Sequence, residues 1–349
     1  MDIGDLAESI KERLGVDREV VDDEEEASIR SSKVVRGDLC DARELRDRLV
    51  DEYCGCDLEE VFGCSLVENG YGEFFHKEEV VDSCLCCPSC SVEDVLCDLK
   101  LVYGIGVSRE RELKEEGYES IRELIDHDRW GGRARETLEK FDSGGLDSGL
   151  DVISRWKSSS DPLFLKYSGF YDVGDFGILD IETMGLGAQP VILIGLGLPM
   201  DGCIEFHQFL LKDFDQELAA LKSFYDKIRD RKAVLTFNGK SFDVPFLERR
   251  FSFYGEDWSL DQSHFDLYHF SKRAFGDELP NYKLNTIERE VLGIERDIDV
   301  PSSMVPEFYK TYREEDNPGP LIPILRHNKQ DILTLNSLLS ELKEELVDE

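Results

Sequence analysis

Two acids two residues apart, Asp180 and Glu182, stand in Gly177-Ile-Leu-Asp-Ile-Glu-Thr-Met-Gly-Leu-Gly187 among the apolar neighbours Ile178, Leu179 and Ile181. On a strand, residues two apart share a face, so both carboxylates point the same way. Packing them side by side at a strand's end is costly unless a cation neutralises them. Mg²⁺ or Mn²⁺ suits such an all-oxygen ligand set; alternatively, Glu182 leaves the sheet and both acids face water. A third acid closes Asn238-Gly-Lys-Ser-Phe-Asp243, where a strand gives way to a helix. Taken alone, Asp243 ahead of Val-Pro-Phe-Leu247 reads as a helix N-cap. The fourth, Asp331, follows His327 by four residues on a late helix with the core stripe Ile332, Leu335, Leu338 and Leu339. That spacing stacks His327 and Asp331 a turn apart, and alone it reads as a surface pair of small benefit.

The elements that carry these residues alternate between strand and helix. Strands are expected at Phe176 to Ile181, Val191 to Leu198, Ile204 to Leu211 and Ala233 to Phe237. Helices are expected at Asp215 to Arg229, Pro245 to Phe253, Asp266 to Phe275, Leu284 to Leu292, Val305 to Arg313 and Ile322 to Leu342. The pattern predicts an α/β domain over 171–345, a mixed sheet flanked by helices. Ahead of it, residues 1–35 read as an acidic arm, and 36–91 as a small Cys-rich region with a hairpin at Asn69-Gly70. Residues 92–142 read as a helical module and 143–170 as a linker beginning in Asp142-Ser-Gly-Gly-Leu-Asp-Ser-Gly149.

Composition narrows the function classes. A chain of 349 residues, 41% hydrophobic and 10% aromatic, has enough apolar side chains for two or three domains and is not disordered throughout. No apolar run nears the roughly 20 residues of a membrane helix, and Met1-Asp-Ile-Gly-Asp-Leu-Ala-Glu8 lacks the basic and apolar regions of a signal peptide. A cytoplasmic location without membrane partners is therefore expected. The 76 acidic residues against 41 basic give a net charge of −35. That field repels nucleic acid at long range, so phosphate binding would need a local basic patch, a metal site or high salt. Nine of the ten cysteines lie between Cys40 and Cys97. Thiols or metal are expected rather than disulfides. Cys54-Gly-Cys56 and Cys87-Pro-Ser-Cys90 offer four ligands for a structural Zn²⁺, with redox chemistry or buried thiols as alternatives.

Together the three acidic motifs resemble the DEDD 3′–5′ exonucleases of the ribonuclease H-like fold, a superfamily that includes the proofreading domains of DNA polymerases. The Asn238 to Asp243 motif is most similar to the family B polymerase form. Phe265-Asp-Leu-Tyr268, Leu284-Asn-Thr-Ile-Glu-Arg-Glu-Val-Leu-Gly-Ile-Glu-Arg296, Asp299-Val-Pro301 and Pro306-Glu-Phe-Tyr-Lys-Thr-Tyr312 resemble the YprB-type exonuclease family. So, loosely, does the hairpin around Gly70-Tyr-Gly-Glu73; the resemblance covers 172–342 well and 58–81 loosely. It implies a metal-dependent nuclease that removes nucleotides from 3′ ends of single-stranded DNA or RNA with two Mg²⁺ or Mn²⁺ ions about 3.5–4 Å apart. Asp180, Glu182 and Asp331 would hold one ion beside the attacking water; Asp180, with Asp243 through water, would hold the other beside the leaving 3′ oxygen. His327 would orient or deprotonate that water. The common family forms place Tyr four or His five residues before the last Asp, so His at four is a departure. Asn238 would bind substrate or brace the turn, Thr183 is an implied substrate contact, and Asp266 either supports the site or caps a helix.

Leu101 to Leu124 is similar to a helix-hairpin-helix module, whose Gly104 and Gly106 allow a tight hairpin with amides that cradle phosphate. A helical connector or a protein-docking module is the alternative there. Nucleic acid is the expected partner, with DNA-repair or replication proteins besides. Rival functions are a structure-selective endonuclease on the same fold and a catalytically silent nucleic-acid or repair-complex adaptor.

Overall fold

The computed structural model describes residues 39–87, 91–143, 145–296 and 300–347. The acidic arm expected over 1–35, Cys90 and Asp299 lie outside them. The chain divides into two units, 1–48 and 49–349. In the first, the described residues 39–48 are helical; all the elements named next belong to the second. No helix among the described residues is long and apolar enough to cross a membrane.

Seven strands form one mixed sheet. They are β1 (Ser65–Asn69), β2 (Gly72–Asp82), β3 (Phe176–Thr183), β4 (Val191–Met200), β5 (Cys203–Leu210), β6 (Ala233–Thr236) and β7 (Ser263–Asp266), in the spatial order β1-β2-β5-β4-β3-β6-β7. Pairing is antiparallel from β1 through β3 and parallel from β3 to β6 and β7. β4 is buried at every position but its last, because both faces of the sheet are covered there; its unbroken apolar run reflects that.

The hairpin expected at Asn69-Gly70 forms, but it extends the main sheet instead of making a separate small one. β2 pairs with β5 over eight residues, from Phe75↔Leu210 to Asp82↔Cys203. The Asn69 carboxamide fixes the turn: its Oδ1 accepts the Tyr71 N–H, and its Nδ2 donates to the Ala219 carbonyl and the Ser223 hydroxyl.

Helices α1 (Val92–Leu96), α2 (Val107–Glu115), α3 (Gly131–Ser143), α4 (Gly145–Trp156) and α5 (Pro162–Tyr167) precede β3. Within 143–170, where the sequence predicts a linker, stand the helices α4 and α5. Gly149 there is a packing residue, since a Cβ on it would lie 2.1 Å from the Tyr167 hydroxyl. Apolar side chains of these helices, among them Val95, Leu113, Ile153 and Leu165, share one core with Ile178, Phe265 and Leu338 of the sheet and its helices. After β5 come α6 (Glu217–Ile228), α7 (Asp243–Phe253), α8 (Leu267–Ala274), α9 (Val305–Glu315) and the 26-residue α10 (Leu321–Leu346). α6 lies on one face of the sheet, where Ile228 packs at Gly177, and α10 on the other.

Candidate active site

The site is built where β3 meets α10. Asp180 and Glu182 share the sheet face that α10 covers, together with Gly195 and Gly197 of β4 and Gln208 of β5. The two glycines let the helix approach. A Cβ on Gly195 would lie 2.3 Å from Asn328 Oδ1, and one on Gly197 would lie 2.7 Å from Ile332 Cγ2. In this close seat the fully buried Asn328 donates through Nδ2 to Asp180 Oδ2 at 2.8 Å and to the Asp180 carbonyl at 3.2 Å. Its Oδ1 accepts from Gln208 Nε2, which also donates to the Leu325 carbonyl.

Asp243 arrives from the opposite side. β6 pairs with β3 only as far as Ile178↔Leu235, so the next stretch of that β3 edge is open to a side chain. Asp243, the first residue of α7 and buried, accepts the Ile181 N–H on Oδ1 at 3.2 Å. The N-cap position is Phe242, so the expectation of Asp243 as the cap gives way to a carboxylate aimed at β3. Asp266 does two jobs. It caps α8 through the Tyr268 N–H, and it accepts the N–H groups of Asn238 and Lys240 at 2.7 and 3.1 Å. That clamp holds Asn238 at φ 63°, an exposed left-handed position that Asn tolerates better than most residues.

Asp331 and His327 project from α10 into a network that the sequence did not reveal. Residues Leu284–Ile287 form a helical turn that continues as a π-helical turn, Glu288–Leu292. Glu288, fully buried, is paired by Arg296 through Nε and Nη2. The same guanidinium donates to Asp331 Oδ1 and, through Nη1, to His327 Nδ1 at 2.7 Å. Arginine can only donate, so His327 accepts at Nδ1 and carries its hydrogen on Nε2, which faces Asp331 Oδ2 at 3.3 Å.

The electrostatics follow from this convergence. Burial first, then the charges of Asp331, Glu182 and Asp243, lift the Asp180 carboxyl well above the usual carboxylate range. Burial lifts Glu182 to about 7; the His327 ring opposes that, and Asp331 and Asp243 add to it. Burial also lifts Asp243 to about 7, against its hydrogen bonds and with Asp266 and Asp331 adding to the rise. Three carboxylates held against their own charge are a donor set that divalent cations fit. Among the described residues no three of the four acids bring oxygens within 4.8 Å of one another, and Arg296 is paired with Asp331. Thr183 stands at the rim, its hydroxyl tied into the 183–185 turn by the Gly185 carbonyl and N–H.

The other expected residues lie elsewhere. Gly104 (φ 89°) packs under the Arg133 guanidinium, which donates to the Tyr103 carbonyl, and Gly106 is the N-cap of α2. Next to them Tyr103, Arg133, Lys140, Arg155 and Trp156 line a cavity, with Glu136 and Asp151 among the opposing charges. The zinc expectation is not supported by the described residues: Cys54, Cys56 and Cys87 are not gathered within ligand distance of one another. Cys54 and Cys56 sit in the turn ahead of the short helix Leu58–Phe62, and Cys87 in the coil after β2. Asn328, Gln208, Glu288 and Arg296 are the site residues that sequence reasoning missed. Asn328 carries a local signal, standing three residues before Asp331 on the same helical face, whereas Glu288 and Arg296 lie inside the Leu284–Arg296 resemblance with nothing in their spacing to give them a role.

A family model described as RNase H superfamily matches residues 178–343. The chain is 29% identical over 204 residues to the uncharacterized protein YprB of Bacillus subtilis, covering 57% of this chain and 49% of that protein. DNA polymerase 1 of Sulfurisphaera ohwakuensis is 26% identical over 141 residues, and that of Saccharolobus solfataricus 25% over 140; each match covers 16% of the polymerase and 35% or 34% of this chain. The chain thus spans about half the length of YprB and much less of the polymerases. Sheet order and family match agree, and residues 178–343 form a domain of the ribonuclease H superfamily.

Proposed function

We propose that the protein is a divalent-metal-dependent nuclease that removes nucleotides from the 3′ ends of single-stranded DNA or RNA. The observation that carries this reading is the meeting of Asp180, Glu182, Asp243 and Asp331 from three distant segments in one charge-strained cluster. The similarity to two archaeal DNA polymerases supports it, although each match covers a small part of the polymerase. Asp180, Glu182, Asp243 and Asp331 would hold two ions, Mg²⁺ or Mn²⁺. When bound, such ions supply Lewis acidity that activates water and stabilises a leaving oxygen.

The chain's own groups do the rest. Asn328 fixes the rotamer of Asp180, and the Ile181 N–H fixes that of Asp243. His327, beside Asp331 and the Arg296 guanidinium, would orient the attacking water; Asn238, on its clamped turn, meets the substrate near Asp243 and Thr183 meets it at the rim of β3. The cavity beside Gly104 and Gly106, with two aromatic rings and three cations, suits a strand's bases and phosphates, in keeping with a helix-hairpin-helix-like role. In a chain of net charge −35, such local cations would be needed.

A second reading, a catalytically silent nucleic-acid adaptor, draws on one observation: the Arg296 guanidinium already neutralises Asp331. One assay separates the two. Oligonucleotides labelled at the 5′ or 3′ end are incubated with Mn²⁺, beside a circular single strand. The proposal expects shortening from the 3′ end, an intact circle and no product from Asp180→Asn. Cut circles would mean an endonuclease, and binding without product under any divalent ion would leave the adaptor.

A further inference from the structure

On the sheet face opposite the carboxylates, β2 and β5 bring two histidines and two glutamates together. The cross-strand row Leu179↔Leu196↔His207↔Glu78 lies on that opposite face, while Asp180↔Gly195↔Gln208 lies on the face of α10. His76 and Glu78 alternate on β2, and Glu205 and His207 alternate on β5. The imidazoles of His76 and His207 stack at 5.3 Å with 14° between their planes. His76 Nε2 is 3.2 Å from His207 Nδ1, and His207 Nδ1 is 3.6 Å from Glu78 Oε2. Ligand atoms of all three residues lie within 4.8 Å of one another.

We infer that His76 Nε2, His207 Nδ1 and Glu78 form a binding site for a transition-metal ion of the Zn²⁺ class, separate from the carboxylate cluster. Around a tetrahedral ion with bonds of about 2.0–2.1 Å, neighbouring ligand atoms stand about 3.3 Å apart. The two distances above bracket that value. Two imidazoles and one carboxylate are the donor mix that Zn²⁺ and its neighbours prefer over Mg²⁺. In the structure the two facing nitrogens share a hydrogen bond, one donating and one accepting, and an ion would take the place of that shared proton.

The surroundings supply what such a site uses. His207 is fully buried, and its far nitrogen Nε2 has no hydrogen-bond partner, yet Glu205 Oε1 lies 2.8 Å away, off the N–H line. A small turn of Glu205 makes it the carboxylate that orients a metal-bound imidazole. Glu78 is half-exposed and gives the ion a way in from solvent. Lys227 opposes the cation, but it is engaged 3.7 Å from Glu205. The bound ion would pin β2, and with it the hairpin, to β5.

The test uses the full chain, dialysed against Zn²⁺ and then analysed for bound metal, with Co²⁺ absorption as a second readout. His76→Gln and the half-exposed Glu78→Gln are compared with wild type, each checked for an unchanged melting temperature in chelator. The expected result is one equivalent of Zn²⁺ lost in each variant and a Zn²⁺-induced rise in melting temperature confined to wild type. Co²⁺ at this site should show ligand-field bands without thiolate charge transfer. Equal Zn²⁺ content in wild type and both variants overturns the site. So does an equivalent that disappears on Cys54→Ser or Cys87→Ser but survives His76→Gln.

Discussion

Asn328 holds Asp180 by its side chain and its backbone at once, at 2.8 Å and 3.2 Å, from a helix that reaches the strand only because Gly195 has no Cβ. The contact sets which way the first carboxylate of the cluster points. Asn328→Ala removes the donor but leaves Gln208 its bond to the Leu325 carbonyl, so the fold should survive. Loss of an orienting partner behind a ligand typically costs about 10–100-fold in metal affinity or activity. We expect the Mn²⁺ concentration for half-maximal nuclease activity to rise by at least about tenfold, read from a metal titration with an end-labelled strand. An unchanged titration would strip Asn328 of this role.

Gly195 should be nearly as sensitive. In Gly195→Ala the new methyl would stand 2.3 Å from Asn328 Oδ1, and either α10 retreats or the carboxamide turns away. Overpacking of this kind costs about 1–3 kcal/mol and separates Asp331 from Asp180. The double variant Gly195→Ala, Asn328→Ala removes the colliding atom, so its stability loss in denaturant should fall short of the summed single losses. Strict additivity would mean that the two residues do not meet.

These contacts explain why part of the molecule was readable and part was not. β4 announces itself as an apolar run buried on both faces, and β3 and β5 as β-rich stretches in which apolar side chains flank a few polar ones. β7 is only Ser-His-Phe-Asp, held by its ladder to β6, and its alternation is too short to stand out. Gly149 read as a loop residue because glycine signals both flexibility and close packing; the Tyr167 hydroxyl above it decides for packing. Asp180, Glu182, Asp243 and Asp331 were legible because their spacing fits strand, turn and helix. Glu288 and Arg296 were not, because a π-helical turn and a change of chain direction bring them to Asp331, and no local periodicity encodes that.

Arg296 joins buried Glu288 to Asp331 and His327. Removing the cation strands a fully buried carboxylate, and breaking such a pair typically costs about 3–5 kcal/mol. Arg296→Met should therefore lower stability by about that amount in chemical denaturation. Glu288→Gln placed on top should recover much of it, since the amide carries no charge and still accepts from Thr334. If the double variant is no more stable than Arg296→Met, Glu288 is not what Arg296 compensates.

Metal and pH should act on stability together. In the unfolded chain Asp180, Glu182 and Asp243 titrate near about 4; in the fold Glu182 and Asp243 are lifted to about 7 and Asp180 is also lifted. A carboxyl pKa raised by folding contributes stability below the unfolded value, and that contribution drains away as pH rises through the folded value. Without metal, the cluster should therefore cost the fold more at pH 8 than at pH 5. A divalent cation offsets the charge only where the acids are ionised. Scanning calorimetry should show a Mn²⁺-induced rise in melting temperature that is larger at pH 8 than at pH 5. Asp180→Asn with Glu182→Gln should flatten both the metal effect and the metal-free loss between these pH values. An equal or larger Mn²⁺ shift at pH 5 would mean that the carboxylates do not share the ion.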